Sequence, residues 1–459
     1  MLKGHLRRLR VARASELGAF VGDTLYTAAW QNTTAIADIA QIALLTHFLG
    51  VSAYGRFAVV VAFALLVDQF FDVRVTLATT TLGARALRVS NSRAVGVFQA
   101  SYSIDAATGV LGCAVIAALA PLVGSRLAGS SGETLLLLYA TVLLGATLDN
   151  TSGSVLRLLG QFRILAALNL VLETVRVLLV GASLVLFRNL VAVVIALAIH
   201  AVMAGTVRLA ATGRSVRRKM ERSLFQREPL PRTEWRNMLG MVFHTNLISY
   251  ARLAQTQLPT VLVGVFSGSA VAGLFKVGMT LGATIGRLAD PAYIALTPRV
   301  SHLLAAGRLR EIRRLIRQSS WVAVPCLGAA FVLVVAFRVP LAQLLTGSRL
   351  EVTSVVLLAA TGAALNGMLF WNVPVVIAAG LQFRISRLVV GLTVLQVLLL
   401  LVLIPTLEAT GAALSFLIIQ IIMNAANTWL AIQVLRGYSD VRLLRGRRWR
   451  SETDGRVKA

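Results

Sequence analysis

"HFLGVSAYGRF" (residues 47–57) and "VFSGSAVAGLF" (residues 265–275) stand 218 positions apart and match at four places: Phe48 with Phe266, Gly50 with Gly268, Gly55 with Gly273, and Phe57 with Phe275. Carried onward, the same offset sets Asp72 against Asp290 and Thr79 against Thr297. In each copy the glycines fall between two long apolar runs. Glycine there permits a tight turn and a close approach of the two runs. The common register points to a duplicated chain whose halves each begin with a hairpin.

The apolar runs recur along all 459 residues, 57% of them hydrophobic and only 14% charged. Soluble domains carry about 25% charged residues, so the composition excludes a soluble globular protein and indicates a polytopic membrane protein. Spans are expected near 23–49, 55–82, 99–124, 134–158, 164–187, 190–212, 239–266, 270–297, 319–345, 351–379, 384–405 and 409–434. The expected fold is therefore all-α, with about 12 transmembrane helices in two six-helix repeats around a central cavity. An even number of spans returns the chain to its starting side. The repeats are then parallel, and a substrate site is expected where they meet.

Charge sets the orientation. The N-terminus, the loops 83–98, 159–163, 213–238, 298–318 and 380–383, the tail, and the helix ends entering them hold 35 of the 45 Lys and Arg. The alternate connections hold four: Arg56, Arg126, Arg188 and Arg349. Positive residues stay cytoplasmic, so both termini are expected there. The same asymmetry accounts for most of the net charge of +26 without a nucleic-acid partner. The implied organisation is a basic cytoplasmic N-terminus (1–22), a six-helix bundle (23–212), a basic linker (213–238), a second bundle (239–435) and a basic tail (436–459). Linker and tail read as solvated, topology-fixing charge, or as contacts with anionic headgroups. The first span is long and contains Asp38, which favours a retained helix over a cleaved signal. Cys113 and Cys326 lie in separate apolar spans and read as small buried hydrophobes.

Ionisable groups inside spans are costly and usually face a bundle interior or a cavity. Arg74 and Arg338 lie toward span ends, where they can snorkel. Arg252 is central in the seventh span. In "GLFKVGMTLGATIGRLADP" (273–291), helical geometry puts Arg287 only about 20° from Lys276, with Thr280 near the same line. Gly278, Gly282 and Gly286 form a separate stripe suited to close helix packing. The eighth span thus combines a packed face with a cationic one. Asp290 is placed to neutralise Arg287, whereas Lys276 has no acid within one turn.

Gln31, Thr34, Asp38 and Gln41 form a polar stripe in the first span, and Asp68 and Asp72 share a face in the second. These carboxylates, with Asp290, are candidate counter-ions or coupling groups; the sequence leaves both roles open. Glu173 and Arg176 are spaced to pair with each other. His200 and His244 read as structural imidazoles. No phosphate-binding G-x-x-x-x-G-K-[ST] loop and no compact His or Cys cluster occurs in the sequence, so no cofactor and no metal is expected.

With these residues in place, the chain resembles the polysaccharide and lipid-linked oligosaccharide flippases of the multidrug/oligosaccharidyl-lipid/polysaccharide (MOP) exporter superfamily, over roughly residues 20–435. "LLTHFLGVSAYGRFAVVVAFALLVDQFFDV" is similar to that family's first hairpin, with Gly50, Tyr54, Gly55 and Asp72 in the motif places. "VAGLFKVGMTLGATIGRLADPAYIALTPRVSHLLAAGRLREIRRLIRQ" resembles the second-half signature. Many members carry an acid in span seven, where this chain reads "ARLAQTQLPT".

The resemblance implies two bundles that open alternately, with Arg252, Lys276 and Arg287 meeting the diphosphate of a polyprenyl-linked glycan. It implies an anionic lipid-linked substrate, membrane lipids and polysaccharide-assembly proteins as partners, and the plasma (inner) membrane of a bacterium as the location. A cation-coupled multidrug antiporter of the same superfamily is the alternative. A membrane glycan polymerase or transferase is a more distant one, since the short outer loops leave little room for catalysis.

Overall fold

The computed structural model describes residues 2–71, 75–226, 228, 230–346 and 351–436. Asp72, Arg74, Arg349 and the tail beyond Arg436 therefore lie outside the described residues. In chain order the helices are α1 (Leu2–Phe71), α2 (Val75–Leu87), α3 (Asn91–Ala128), α4 (Gly132–Leu158), α5 (Phe162–Phe187), α6 (Leu190–Met220), α7 (Arg232–Ser267), α8 (Ser269–Arg287), α9 (Asp290–Ala305), α10 (Leu309–Ala336), α11 (Arg338–Thr346), α12 (Glu351–Met368), α13 (Asn372–Ala378) and α14 (Gln382–Leu435). A 3-10 turn at Gly129–Ser131 joins α3 to α4, and no strand occurs among the described residues.

Seven helical stretches among the described residues are long and apolar enough to cross a membrane. Three of them are too long for one crossing: 32–71, 91–158 and 383–435 run 40, 68 and 53 residues. At 1.5 Å per residue, even 40 residues span about 60 Å, twice the hydrocarbon thickness. Each contains a break. Gly50 interrupts α1 at φ 84, the Gly129–Ser131 turn separates α3 from α4, and Glu408 interrupts α14 at φ 49. Split there, the seven stretches give ten crossings. The pair α12 and α13, bent by 47°, adds an eleventh, and the 36-residue α7 lies where the seventh span is expected. The expected all-helical fold is thus present among the described residues, and the number of crossings is consistent with about twelve.

The breaks repeat. Gly50 (φ 84, ψ 165) and Gly268 (φ 88, ψ 169) are matched residues of the duplication and share one backbone conformation, which a side chain would strain. Gly160 (φ 65) precedes α5, and Gly380 (φ 77) precedes α14. Each opens a turn into an identical tetrapeptide, residues 161–164 and 382–385, both Gln-Phe-Arg-Ile. Arg188 (φ 47) ends α5, and Glu408 breaks α14 at the corresponding depth.

The chain divides into two units by internal packing, Met1–Leu253 and Ala254–Ala459, with the division inside α7. In the first unit, α4 packs on α3 and α6 through very close backbone approaches. A Cβ on Gly145 would fall 2.8 Å from the carbonyl carbon of Ala201, and one on Gly205 would fall 2.6 Å from the Gly145 carbonyl oxygen. Phe98, Ile116, Leu135, Leu136 and Leu156 fill the interior. Exposed Leu170, Val171, Leu178, Val185 and Leu186 leave one side of α5 for lipid.

The segment after α6 is not a free tether. Helix α6 continues to Met220, whose carbonyl accepts from Asn91 Nδ2 at 3.2 Å. Gln99 on α3 donates to the carbonyls of Leu224 (2.8 Å) and Gln226 (2.5 Å) and accepts from the Glu228 N–H (3.1 Å). Glu228 also binds Ser92 and, at 3.0 Å, Arg222. The basic linker, expected as solvated charge, is in this part held along α3.

In the second unit, α8 lies along α12 and α14 lies along α12 and α13. Phe275, Ile285, Ile312 and Leu400 are fully buried. Helices α8 and α9 are separate pieces of one expected span. Leu288 and Ala289 bond back three residues, to the Ile285 and Gly286 carbonyls, and Pro291 in the first turn of α9 has no N–H to continue the ladder.

Candidate functional site

Helix α8 carries two unlike faces. On one, a Cβ built on Gly278 would stand 2.6 Å from Val355 Cγ1, and one on Gly282 would stand 2.4 Å from Ala359 Cβ. The expected glycine stripe is therefore a contact with α12, and only hydrogen fits at Gly278 and Gly282. Gly286, at 3.8 Å from Ala363 Cβ, is the open end of the stripe.

On the other face Lys276 is half-buried, and its Nζ donates to Gln257 Oε1 on α7 at 3.3 Å. Thr280 and Thr284 continue this face, each donating its hydroxyl to the carbonyl four residues back, at 2.9 and 3.0 Å. Arg287 ends the face, half-buried, and acts electrostatically on Asp290. Eleven residues separate the two cations, about 16 Å along the helix.

The second half of α7, the stretch "ARLAQTQLPT", supplies amides. Gln255 Nε2 donates to Thr393 Oγ1 (3.1 Å) and to the Val389 carbonyl (3.3 Å) on α14. Gln396 Nε2 returns a bond to the Gln255 carbonyl at 3.1 Å. A neutral N–H thus fills the oxygen pair on α14. A second amide group, Asn372 with Asn424 (3.3 Å) and Thr428 (3.2 Å), ties α13 to α14.

In the first unit Asp38, Glu173 and Asp149 have resident cations. Asp38 on α1 pairs with Arg176 on α5 at 2.8 Å, and Arg176 also holds Glu173 at 2.8 Å. The pair expected within α5 is present, but it is shared with Asp38. Arg208 on α6 bridges Asp149 on α4 and Asn169 on α5, and Asn169 reaches Thr34 on α1 at 3.3 Å. His200 bonds the Leu172 carbonyl at 3.0 Å, as expected of a structural imidazole. Asp68 lies against Gly112, where a Cβ would come within 3.1 Å of its Oδ1. Arg252 is exposed on α7, two residues after Tyr250, whose ring stacks on Phe70 with centroids 5.6 Å apart.

The sequence reading missed Arg208 and Asp149. Arg208 was counted with the basic cytoplasmic end of α6, yet its side chain is only 8% exposed. The available signal was an arginine three turns inside a continuous helix, matched by an aspartate inside another.

The polysaccharide biosynthesis protein family model matches residues 20–304, well over half of the chain. The chain belongs to that family. A search of curated protein sequences finds no match. Among solved structures, the chain is similar to an inward-facing multidrug resistance MATE family transporter of the MOP superfamily, with TM-score 0.68, 16% identity, and 88% of this chain and 96% of that one covered. A Vibrio cholerae MATE transporter, VcmN, in its bent form gives TM-score 0.60 and 17% identity over 94% and 99% of the two chains. A MOP superfamily transporter from Pyrococcus furiosus, whose binding pocket is described as having reversed polarity, gives 0.60 and 14% over 92% and 96%. At these identities the likeness establishes the fold. This member of the polysaccharide biosynthesis family is thus a multi-pass membrane protein of the flippase and exporter type, as the first-hairpin motif implied.

Proposed function

We propose that this polysaccharide biosynthesis family member moves a polyprenyl-diphosphate-linked oligosaccharide from the cytoplasmic to the outer leaflet of the bacterial plasma membrane, by alternating access, for cell-surface polysaccharide assembly. The carrying observation is the cationic face of α8. Lys276 and Arg287 stand on the side opposite the glycines that pack on α12. A diphosphate cannot enter hydrocarbon without compensation for its charge, and fixed cations provide it. The separation of about 16 Å suits a ligand with a charged diphosphate and a long polar glycan. Arg252 is the third cation assigned to the substrate. The proposal includes cytoplasmic termini, and polysaccharide-assembly proteins as partners.

The first unit supports this reading over a cation-coupled drug antiporter. Asp38 and Asp149 already hold Arg176 and Arg208, so they serve as counter-ions. In a strain depleted of the native protein, Lys276→Ala and Arg252→Ala should each be membrane-inserted at normal levels. Each should cut export about tenfold or more, with lipid-linked precursor accumulating on the cytoplasmic leaflet. Normal export by either variant removes that residue from the mechanism. A gain of drug resistance in a sensitive host, with no effect on lipid-linked glycans, would establish the antiporter instead.

A further inference from the structure

Beside the turn between α9 and α10 lies an open cavity of about 770 Å³, lined by Arg299, His302, Leu303, Glu311, Arg314, Leu315 and Gln318. It lies wholly within the second unit and shares no residue with the α8 face. Two arginines contribute charge to its wall, and the single carboxylate there, Glu311, is 3.5 Å from Arg308. The wall is thus net cationic, with Leu303 and Leu315 as its apolar part. Ile312, fully buried, fixes the start of α10.

The depth of the cavity is set by sequence. Helix α10 begins "LREIRRLIRQ" and then turns apolar from Trp321. Arg314, Gln318 and Trp321 follow four- and three-residue spacing and so share one face. Trp321 is 77% and Val322 69% exposed, and farther along Val332 and Leu333 are also open. A tryptophan at the edge of an apolar helix marks the headgroup level. The cavity therefore sits where phosphates of one leaflet lie, with an outward apolar helix face directly beyond it for acyl chains.

We propose that this cavity is a binding site for an anionic glycerophospholipid with a hydroxyl-bearing headgroup, such as phosphatidylglycerol. Arg299 and Arg314 take the phosphate diester. Gln318, His302 and Glu311 offer hydrogen-bond partners for the headgroup hydroxyls. Leu303 and Leu315 cover the glycerol backbone, and the acyl chains run along the Trp321 and Val322 side of α10. Basic pockets at the cytoplasmic ends of transmembrane helices bind anionic headgroups in this way.

Binding of short-chain phosphatidylglycerol to the purified full-length protein in detergent, followed by thermophoresis, tests the site. Wild type should bind phosphatidylglycerol in preference to phosphatidylcholine. Arg299→Gln/Arg314→Gln should weaken binding about twentyfold while leaving the thermal unfolding curve in place. Gln318→Leu should narrow the preference for phosphatidylglycerol over phosphatidic acid. Unchanged affinity in the double variant, or equal binding of phosphatidylcholine, overturns the proposal. So does inorganic phosphate competing at the lipid's own concentration, which would make the site a phosphate site. A polyprenyl diphosphate that displaces phosphatidylglycerol at far lower concentration would reassign the cavity to the transported lipid. Transport is not measured in any arm, so the result stands whatever the α8 cations do.

Discussion

Arg208 shows how much one side chain decides. Its guanidinium is buried, holds Asp149 and Asn169, and through Asn169 reaches Thr34. One residue thereby joins α6, α4, α5 and α1. Removing one partner of a buried ion pair leaves the other charge uncompensated, which costs more than the pair itself contributes. Arg208→Met should lower stability by about 3 kcal/mol, read as a fall in the thermal midpoint in detergent. Arg208→Met/Asp149→Asn should recover part of that loss. The α8 cations differ in kind: Lys276 is half-buried with a long 3.3 Å bond to Gln257, so its substitution should spare the fold.

The residue scale also marks the limit of sequence reading. Lys276, Arg287 and their angular relation were legible because helical periodicity alone fixes them. Arg208 was not, because a charge-counting rule assigns any arginine near a basic helix end to the loop. The Asp38–Arg176 pair was hidden for another reason: each residue had a plausible partner or role within its own helix, and only packing brings α1 to α5.

At the scale of elements, the contact of α8 with α12 is the most exacting. A Cβ on Gly282 would also come within 2.7 Å of the Ala360 backbone nitrogen, and backbone cannot rotate away. Gly282→Val should therefore overpack the interface and cost about 1–3 kcal/mol. Gly286→Ala meets nothing closer than 3.8 Å, and alanine favours helix over glycine. It should be neutral or slightly stabilising in the same melting experiment. The stripe was legible as a four-residue repeat of glycine; its partner was not, since Val355 and Ala359 carry no mark that singles them out.

For the whole molecule, the duplication was legible at the first hairpin and then lost. A constant offset of 218 aligns Gly50 with Gly268, but the two Gln-Phe-Arg-Ile turns at 161–164 and 382–385 stand 221 apart. A few residues added in the second half break the register, and a fixed-offset reading passes over an identical tetrapeptide. Backbone conformation restores it, because both turns open on a glycine at positive φ. Sidedness is a prediction at this scale. With Cys113 and Cys326 replaced by alanine, a cysteine at Gln226 should react with impermeant maleimide only after the membrane is opened. One at Ser130, in the turn between α3 and α4, should react in intact cells. The reverse pattern would invert the assigned topology.

The docked linker carries a consequence for how the protein is made. Glu228 bonds to Ser92, Gln99 and Arg222, and all of these leave the ribosome before Glu228 does. The segment can therefore settle on α3 while the second half is still being synthesised. The first six helices then wait in the membrane as a finished piece with their exit strand already fastened, so the insertion machinery receives α7 from a fixed point and not from the end of a swinging chain.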